Sequence, residues 1–206
     1  HRVAAVDGIE RLRFTSPYPV DFSDQVIAAM AEIKEVCPYL HLPVQSGSDA
    51  QLTAMRRGYT VGQFRTLVSK LRATIPNLAL STDIITGFCG ESEEDFQHTF
   101  ELMEEIRFDS AFMFKYSDRE GTYAHKKMPD DVPESVKGER LQRIFDLQEQ
   151  ISGEINGTYV GRQLPVLVEG PSRRPAPARR LCGLAAARAR RLLRTGHARS
   201  GPVPSS

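Results

Sequence analysis

Short segments of alternating apolar and polar residues recur along the chain, and each is followed by apolar residues at helical spacing. The alternating segments occupy positions 12–15, 40–44, 78–85 and 110–116. Alternation with a period of two is typical of strands, whereas apolar positions three to four residues apart are typical of amphipathic helices. This order predicts βα units, a mainly parallel sheet and right-handed crossovers, which together define an α/β fold.

Capping sequences indicate that two helices follow the second strand. Ser48 and Gln51 are three residues apart, as are Thr60 and Gln63, and both pairs match a capping box. In a capping box the two side chains satisfy each other's backbone N–H groups, so we expect reciprocal bonds in both pairs. Further helices are predicted from apolar residues at helical spacing in the ranges 26–36, 96–106 and 141–159.

The residues that follow the strands form the candidate site. Four βα units are half of a closed barrel or most of an open sheet, and both folds place their chemistry at the carboxyl ends of the strands. These ends are TSP, QSGS, GFCGE and SDREG, at positions 15–17, 45–48, 87–91 and 117–121. Their hydroxyls, amide, carboxylate and arginine suit a ligand with amino, carboxylate and ribose groups. They contain no nucleophile paired with a base and no histidine cluster for a metal.

Each of these polar residues also has a structural explanation. Gly87 suits a tight turn, and Glu91 would favour the positive N-terminal end of the next helix. Capping alone explains Ser48. The adjacent arginines at 56–57 fit the end of a helix and would equally fit phosphates. His41 is expected to be an ordinary core or surface histidine, so single residues do not decide the function.

Length and composition are those of a soluble globular protein. The chain has 206 residues, of which 40% are apolar, and this is enough for one domain with a core. No apolar run reaches the roughly 18–20 residues of a membrane span, so we expect no membrane partner and a cytoplasmic location. The chain begins with His1 rather than methionine, which suggests a fragment. Its three cysteines are scattered, so neither a disulfide framework nor a zinc site is predicted.

Charge divides the chain into two parts. All 26 acidic residues lie at or before Glu169, while nine of the 27 basic residues follow position 170. The segment 173–206 is rich in Arg, Ala and Pro, and we predict that it is disordered. One interpretation of this tail is a basic arm that binds nucleic acid. We favour a second one, in which the tail is the product of out-of-frame, GC-rich DNA.

Six motifs in a fixed order resemble those of the radical S-adenosylmethionine methylthiotransferases, over residues 9–172. The motifs are RLRFTSPYPVDFSDQVI, YLHLPVQSGSD, MRRGYT, LSTDIITGFCGESEEDF, FKYSDREGTYA and VPESVKGERLQRIFDLQEQI. Gln45 is followed by Ser46, which resembles the tRNA-modifying (MiaB-type) branch. The branch that modifies a ribosomal protein typically has a histidine soon after the glutamine.

The resemblance implies a fold in three parts. Residues 1–161 would form the C-terminal part of a radical S-adenosylmethionine (β/α) barrel, residues 162–172 would begin a TRAM-like β-domain, and the tail 173–206 would follow. In the complete enzyme, a methylthio group is added to carbon 2 of isopentenyladenosine beside the anticodon. One 4Fe-4S cluster cleaves S-adenosylmethionine to a 5′-deoxyadenosyl radical, and a second takes part in sulfur delivery. The implied partners are the tRNA anticodon stem-loop and an electron donor such as flavodoxin or ferredoxin.

The same resemblance places individual residues around the ligands. The predicted contacts to S-adenosylmethionine are Thr15, Ser16, Gln45, Ser46, Gly47, Asp83, Gly87 and Glu91. Arg119 matches the arginine of the family's Ser-x-Arg-x-Gly-Thr loop, and Arg56 and Arg57 complete the predicted substrate contacts. No catalytic residue and no metal ligand is assigned in this chain.

Several departures from the family pattern bear on activity. Cluster ligation requires thiolates, and the cysteines Cys37, Cys89 and Cys182 occupy none of the family's cluster positions, including its CxxxCxxC motif. The chain alone is therefore expected to bind no cluster and to be inactive. Cys89 also stands where the family usually has proline, and Tyr123 stands where proline is common.

Three other hypotheses stay open. The chain could belong to a methylthiotransferase that acts on a ribosomal protein or another substrate, although Ser46 argues against this. It could be a cluster-free protein whose basic tail binds RNA through salt-dependent contacts. An unrelated barrel hydrolase ranks lowest, because no nucleophile and base are paired.

Overall fold

The computed structural model describes residues 1–13 and 18–164. A short 3-10 helix at Pro19–Asp21 precedes the other elements. In chain order, these are α1 (Asp24–Glu32), β1 (Tyr39–His41), α2 (Asp49–Ala54), α3 (Val61–Thr74), β2 (Ala79–Thr86), α4 (Glu93–Ile106), β3 (Ser110–Lys115), α5 (Tyr123–Lys127) and α6 (Glu134–Gly157). None of the described helices is long and apolar enough to cross a membrane.

The three strands form one parallel sheet in the order β1, β2, β3. Tyr39 pairs with Ala79 at the start of the β1–β2 ladder. Thr86 pairs with Lys115 at the end of the β2–β3 ladder. The carboxyl ends of the strands therefore lie at one edge of the sheet. The predicted α/β class, with parallel strands joined by helices, is confirmed.

The first predicted strand is described only in part. Leu12 forms a single parallel bridge with Val36. The predicted contacts Thr15 and Ser16 lie outside the described residues, as do the TRAM-like strand beyond Leu164 and the tail. The domain limits drawn at 161 and 172 therefore stay predictions.

One face of the sheet packs against the helices and forms the core. Leu40 and Leu80, on neighbouring strands, are fully buried. They belong to the same apolar cluster as Phe64 of α3, Phe96 of α4 and Ile144 of α6. Burying an apolar side chain of this size contributes roughly 1.5–3 kcal/mol, so this cluster holds the helices in place behind the strand ends.

The other face of the sheet is less covered, and we call it the open face. Because side chains alternate between faces along a strand, the register places His41, Ser81, Asp83, Phe112 and Phe114 there. Phe112 and Phe114 are 52% and 55% exposed. Among the polar residues of this face, Ser81 is buried, whereas the Asp83 side chain keeps 27% exposure.

The two predicted capping boxes have different outcomes. Gln63 N–H donates to the Thr60 hydroxyl at 3.2 Å, and Thr60 N–H donates to Gln63 Oε1 at 2.8 Å, as predicted. The Ser48 hydroxyl accepts from Gln51 N–H at 3.3 Å, but the prediction of a reciprocal bond from Ser48 N–H to the Gln51 side chain is wrong. The side chains of Ser48 and Gln51 both interact with Asp95 of α4 instead. A tertiary contact has replaced a local one.

Helix boundaries also differ from the prediction. Helix α1 ends at Glu32, before Ile33, and α6 ends at Gly157, before Tyr159, although both were predicted to be helical. The short helix α5 was not predicted. Its N-terminus is capped by the Thr122 hydroxyl, which accepts from His125 N–H at 3.2 Å.

Candidate functional site

The loop after β1 is held against α4. The hydroxyl oxygens of Ser46 and Thr99 are 3.2 Å apart, and Gly47 N–H donates to Thr99 Oγ1 at 2.9 Å. A Cβ at position 47 would lie 2.4 Å from the backbone oxygen of His98, so this packing requires glycine. Gln45, which begins the loop, has a left-handed φ of 73°, a conformation that is costly for a residue with a side chain.

The loop after β2 is held by the long helix α6 through a buried ion pair. Glu91 is 5% exposed, and its Oε2 accepts from Gly87 N–H at 2.6 Å and from Arg140 Nη1 at 2.8 Å. Arg140 also donates to the backbone oxygen of Glu91 at 3.0 Å. Burial raises the pKa of Glu91, although the Gly87 N–H and the Arg140 guanidinium oppose this rise. The shape of the loop therefore depends on this pair.

A second residue of α6, Lys137, packs against the same loop. It is 1% exposed, and its Nζ donates to Asp130 Oδ1 at 2.6 Å. A Cβ at Gly87, where φ is 70°, would lie 2.3 Å from Lys137 Cγ. Sequence reasoning missed both Lys137 and Arg140. Their signal was present, because both occupy the helical spacing of the buried residue Ile144, where a basic side chain requires a partner.

A polar network crosses the open face. The Tyr39 and Ser81 hydroxyls are 2.7 Å apart, and His41 Nδ1 lies 2.9 Å from Ser81 Oγ. His41 Nε2 lies 3.2 Å from Asp83 Oδ1, and the Phe112 ring meets the imidazole edge-on at 5.7 Å. His41 therefore orients Asp83, a predicted cofactor contact, rather than being an isolated histidine. The only sequence signal for this contact was that alternation of side chains places His41 and Asp83 on the same face of neighbouring strands.

A cavity of about 780 Å³ opens at the carboxyl ends of β2 and β3. This volume falls within the roughly 300–1,000 Å³ of small-molecule sites. Arg56, Arg57, Lys115 and Arg119 line it, and none of the described lining residues is acidic. A cavity lined by charges of one sign raises the local concentration of oppositely charged ligands, so this cavity favours an anion.

Aromatic rings complete the cavity lining. The Phe88 and Tyr116 rings meet edge-on with centroids 4.9 Å apart. The guanidinium carbon of Arg56 lies 3.4 Å from the centre of the Tyr123 ring. Rings for stacking, combined with cations for phosphates, are the features that bind single-stranded nucleic acid.

Comparison with known proteins identifies a family domain in this chain. The family model described as the radical SAM superfamily matches residues 2–103. The tRNA-2-methylthio-N(6)-dimethylallyladenosine synthase of Thermobifida fusca is 53% identical over 181 residues, which are 87% of this chain and 36% of the relative. Residues 2–103 of this chain are therefore a radical SAM domain. The synthase of the same name from Methylacidiphilum infernorum is 50% identical over 175 residues, which are 85% of this chain and 37% of that relative. The predicted resemblance to methylthiotransferases is thus confirmed, and the chain spans about a third of the length of these relatives.

A solved radical SAM enzyme shares the fold. The superposition on coproporphyrinogen III oxidase from Escherichia coli has a TM-score of 0.55 and covers 65% of this chain and 31% of the oxidase. The sequence identity is 20%, so this likeness concerns the fold alone. It confirms the radical SAM fold predicted for the described part of the chain.

The predicted ligand contacts separate into two groups in this radical SAM fold. All three predicted substrate contacts, Arg56, Arg57 and Arg119, line the cavity. The described cofactor contacts do not line it; they are Gln45, Ser46, Gly47, Asp83, Gly87 and Glu91. The structure brings the arginines together, while the binding roles of both groups stay predictions.

Radical SAM proteins use S-adenosylmethionine and an iron–sulfur cluster, and the described residues do not fit the cluster. Burial raises the pKa of the Cys37 and Cys89 thiols, which disfavours the thiolates that ligate iron. Within residues 1–13 and 18–164, no group of His, Cys, Asp and Glu could hold a metal. S-adenosylmethionine fits better. Asp83 is partly exposed, and Glu91 Oε1 is buried without a hydrogen-bond partner in the described chain, so both offer acceptors to amino or hydroxyl groups.

Proposed function

We propose that the polypeptide containing this chain is a radical SAM tRNA methylthiotransferase. The observation that carries the proposal is the 50–53% identity to synthases named for 2-methylthio-N(6)-dimethylallyladenosine in tRNA. The reaction would add a methylthio group at carbon 2 of the isopentenylated adenosine next to the anticodon. The substrate is therefore the anticodon stem-loop of tRNA.

The cavity supports an RNA substrate. Arg57 and Arg119 would contact phosphates, since arginine binds phosphate through a planar set of donors. Their position at the carboxyl ends of β2 and β3 is where barrel and open-sheet folds bind their ligands. A cavity lined by cations and aromatic rings would hold one base and the phosphates beside it.

The strand ends would hold S-adenosylmethionine, which supplies the radical chemistry when bound. Asp83, oriented by His41, would accept a hydrogen bond from an amino or ribose hydroxyl group. Thr15, Ser16 and the loops 45–47 and 87–91 would surround the rest of the cofactor. The contacts of these loops with α4 and α6 would keep them in place before the cofactor arrives.

The complete enzyme would also contain two 4Fe-4S clusters. Their cysteine ligands would lie outside the described residues, because the described cysteines, Cys37 and Cys89, are buried thiols. A flavodoxin or ferredoxin would supply electrons. This part of the proposal rests on the family resemblance alone.

Nucleoside mass spectrometry tests the proposed function. The gene for the whole polypeptide is deleted, and total tRNA is digested and analysed. We expect 2-methylthio-isopentenyladenosine to disappear, isopentenyladenosine to accumulate, and re-expression to reverse both changes. An Asp83→Asn polypeptide should restore less of the product than the unmodified one. If the methylthio nucleoside persists after deletion while a ribosomal protein loses its own methylthio group, the tRNA assignment is wrong.

A further inference from the structure

Tyr123 and Arg56 form a stacked pair at the cavity. The 3.4 Å between the guanidinium carbon and the ring centre places two flat groups in van der Waals contact. Arg56 lies two residues after the end of α2, and its backbone has a left-handed φ of 58°. Tyr123 is the first residue of α5. The pair therefore joins two elements that are far apart in sequence, and it fixes the orientation of the ring.

Part of the ring remains exposed to a ligand, and a neighbouring buried donor is unpaired in the described chain. The guanidinium covers one face of the ring, yet Tyr123 is 45% exposed, so surface is left for a second flat group. The Nε of Arg57, which lines the same cavity, is buried and donates to no acceptor in the described chain. An unpaired buried donor is costly, and a ligand acceptor would remove this cost.

We propose that Tyr123, oriented by Arg56, is a stacking platform for one unstacked purine base of an RNA loop, and that Arg57 Nε donates to the bound nucleotide. The inference rests on the proposed function and names the residue that binds the substrate base. Enzymes that modify a base take it out of its stack and commonly hold it against aromatic side chains. The cationic cavity lining would hold the flanking phosphates.

A purely structural role is the alternative, in which the stack only ties α2 to α5. The two roles are separable because the ring can be removed without disturbing the helix. Tyr123 is at the first helical position, where proline is tolerated because this N–H has no helical partner. Thr122 has φ −74° and ψ 163°, a conformation that suits a residue before proline. Tyr123→Pro therefore removes the ring, and Tyr123→Phe keeps it.

The experiment uses the whole polypeptide and an anticodon stem-loop RNA with 2-aminopurine at the target position. Affinity is measured by fluorescence anisotropy, and stacking by the quenching of 2-aminopurine on binding. We expect Tyr123→Pro to weaken binding by roughly 5- to 150-fold, the range for loss of one stacked base. It should also abolish the quenching caused by the protein. Tyr123→Phe should behave as the unmodified protein does, and if Tyr123→Pro is unstable, Tyr123→Leu replaces it.

The outcomes distinguish this inference from the proposed function. If the ring-free variant and Tyr123→Phe bind and quench alike, the platform is overturned, while the methylthiotransferase proposal stands. If the unmodified polypeptide does not bind the stem-loop, the proposed function fails and the platform fails with it. If the ring-free variant binds more weakly and loses quenching at an unchanged melting temperature, the platform is supported over a structural tie.

Discussion

Polar groups in the loops after β1 and β2 are mostly paired within the chain, whereas two arginines around the cavity keep unused binding capacity. In the loops, Glu91 Oε2 is paired with Arg140 although Glu91 Oε1 has no partner in the described chain, and Gly47 packs against the backbone of α4. At the cavity, Arg119 is exposed, and Arg57 Nε has no acceptor in the described chain. Both regions are polar and both lie at strand ends, so position in the fold does not distinguish them.

The difference separates residues that shape a site from residues that are available to a ligand. A buried group that is already hydrogen-bonded gains little from a ligand, whereas an unpaired donor gains a bond. Substitutions in the loops should therefore change the free energy of unfolding. Substitutions at the cavity should change RNA binding with little effect on stability.

The largest effect is expected for Arg140→Met. This change leaves the Glu91 carboxylate buried without its cation, and breaking a buried ion pair in this way typically costs about 3–5 kcal/mol. The measurement is denaturant unfolding of the polypeptide at neutral pH. Arg143→Met on the same helix is the matched control, because Arg143 pairs with the exposed Glu93 and should lose less than about 1 kcal/mol. Equal losses for the two variants would contradict the special role of Arg140.

The pH dependence of the same variant tests which group is responsible. Without Arg140, the folded-state pKa of Glu91 should rise further above the ordinary value of 4.5. A raised folded-state pKa contributes stability below the unfolded-state pKa, and this stability is lost as pH rises through the folded-state value. Arg140→Met should therefore be less destabilised near about pH 4 than near pH 7. Adding Glu91→Gln should flatten this difference, and a pH-independent loss would point to another cause.

Gly47→Ala should have the next largest effect, since its Cβ would overlap backbone atoms that no rotamer change can move. Overpacking typically costs about 1–3 kcal/mol, and this site belongs at the upper end. Gly90→Ala is the control, because a Cβ there meets no atom within 4 Å. Its φ of 73° adds only a left-handed strain of about 1–2 kcal/mol. Thermal unfolding of both variants measures their loss of stability. A smaller loss for Gly47→Ala than for Gly90→Ala would mean that α4 can move.

Ser48→Ala should cost about 1 kcal/mol, the usual effect of removing a helix cap. Its hydroxyl also donates to Asp95 at 2.5 Å, so the loss should exceed that of Ser23→Ala, whose cap bond to Val26 N–H is 3.4 Å long. Unfolding in urea is sufficient for the measurement. Equal losses would indicate that the contact between this loop and α4 contributes little.

Much of the fold was predictable because local patterns agree with it. The segment 78–85, where apolar and polar residues alternate, forms most of β2, and the capping box at Thr60 and Gln63 is present as predicted. The failures have tertiary causes. Ser48 and Gln51 match the same box, but both side chains interact with Asp95, a partner 44 or more residues away whose position no local pattern reveals.

The candidate site was predictable in composition more than in arrangement. Arg56 and Arg119 were expected to contact substrate, and they line one cavity although they are far apart in sequence. Arg140 was missed because a basic residue on a helix is usually exposed, and only tertiary packing reveals its buried acid. The network of His41 with Asp83 depended on the strand register, which the sequence alone did not define.

The smallest effect on stability is expected for Arg119→Gln. Arg119 is exposed, and substitutions at such surface positions usually change the free energy of unfolding by less than about 0.5 kcal/mol. If Arg119 contacts a phosphate, the slope of log affinity against log salt for the anticodon stem-loop should fall by about one. Lys70→Gln, on a helix away from the cavity, should leave the slope unchanged. A stability loss without a change in slope would place Arg119 with the loop residues and would break the division between the two regions.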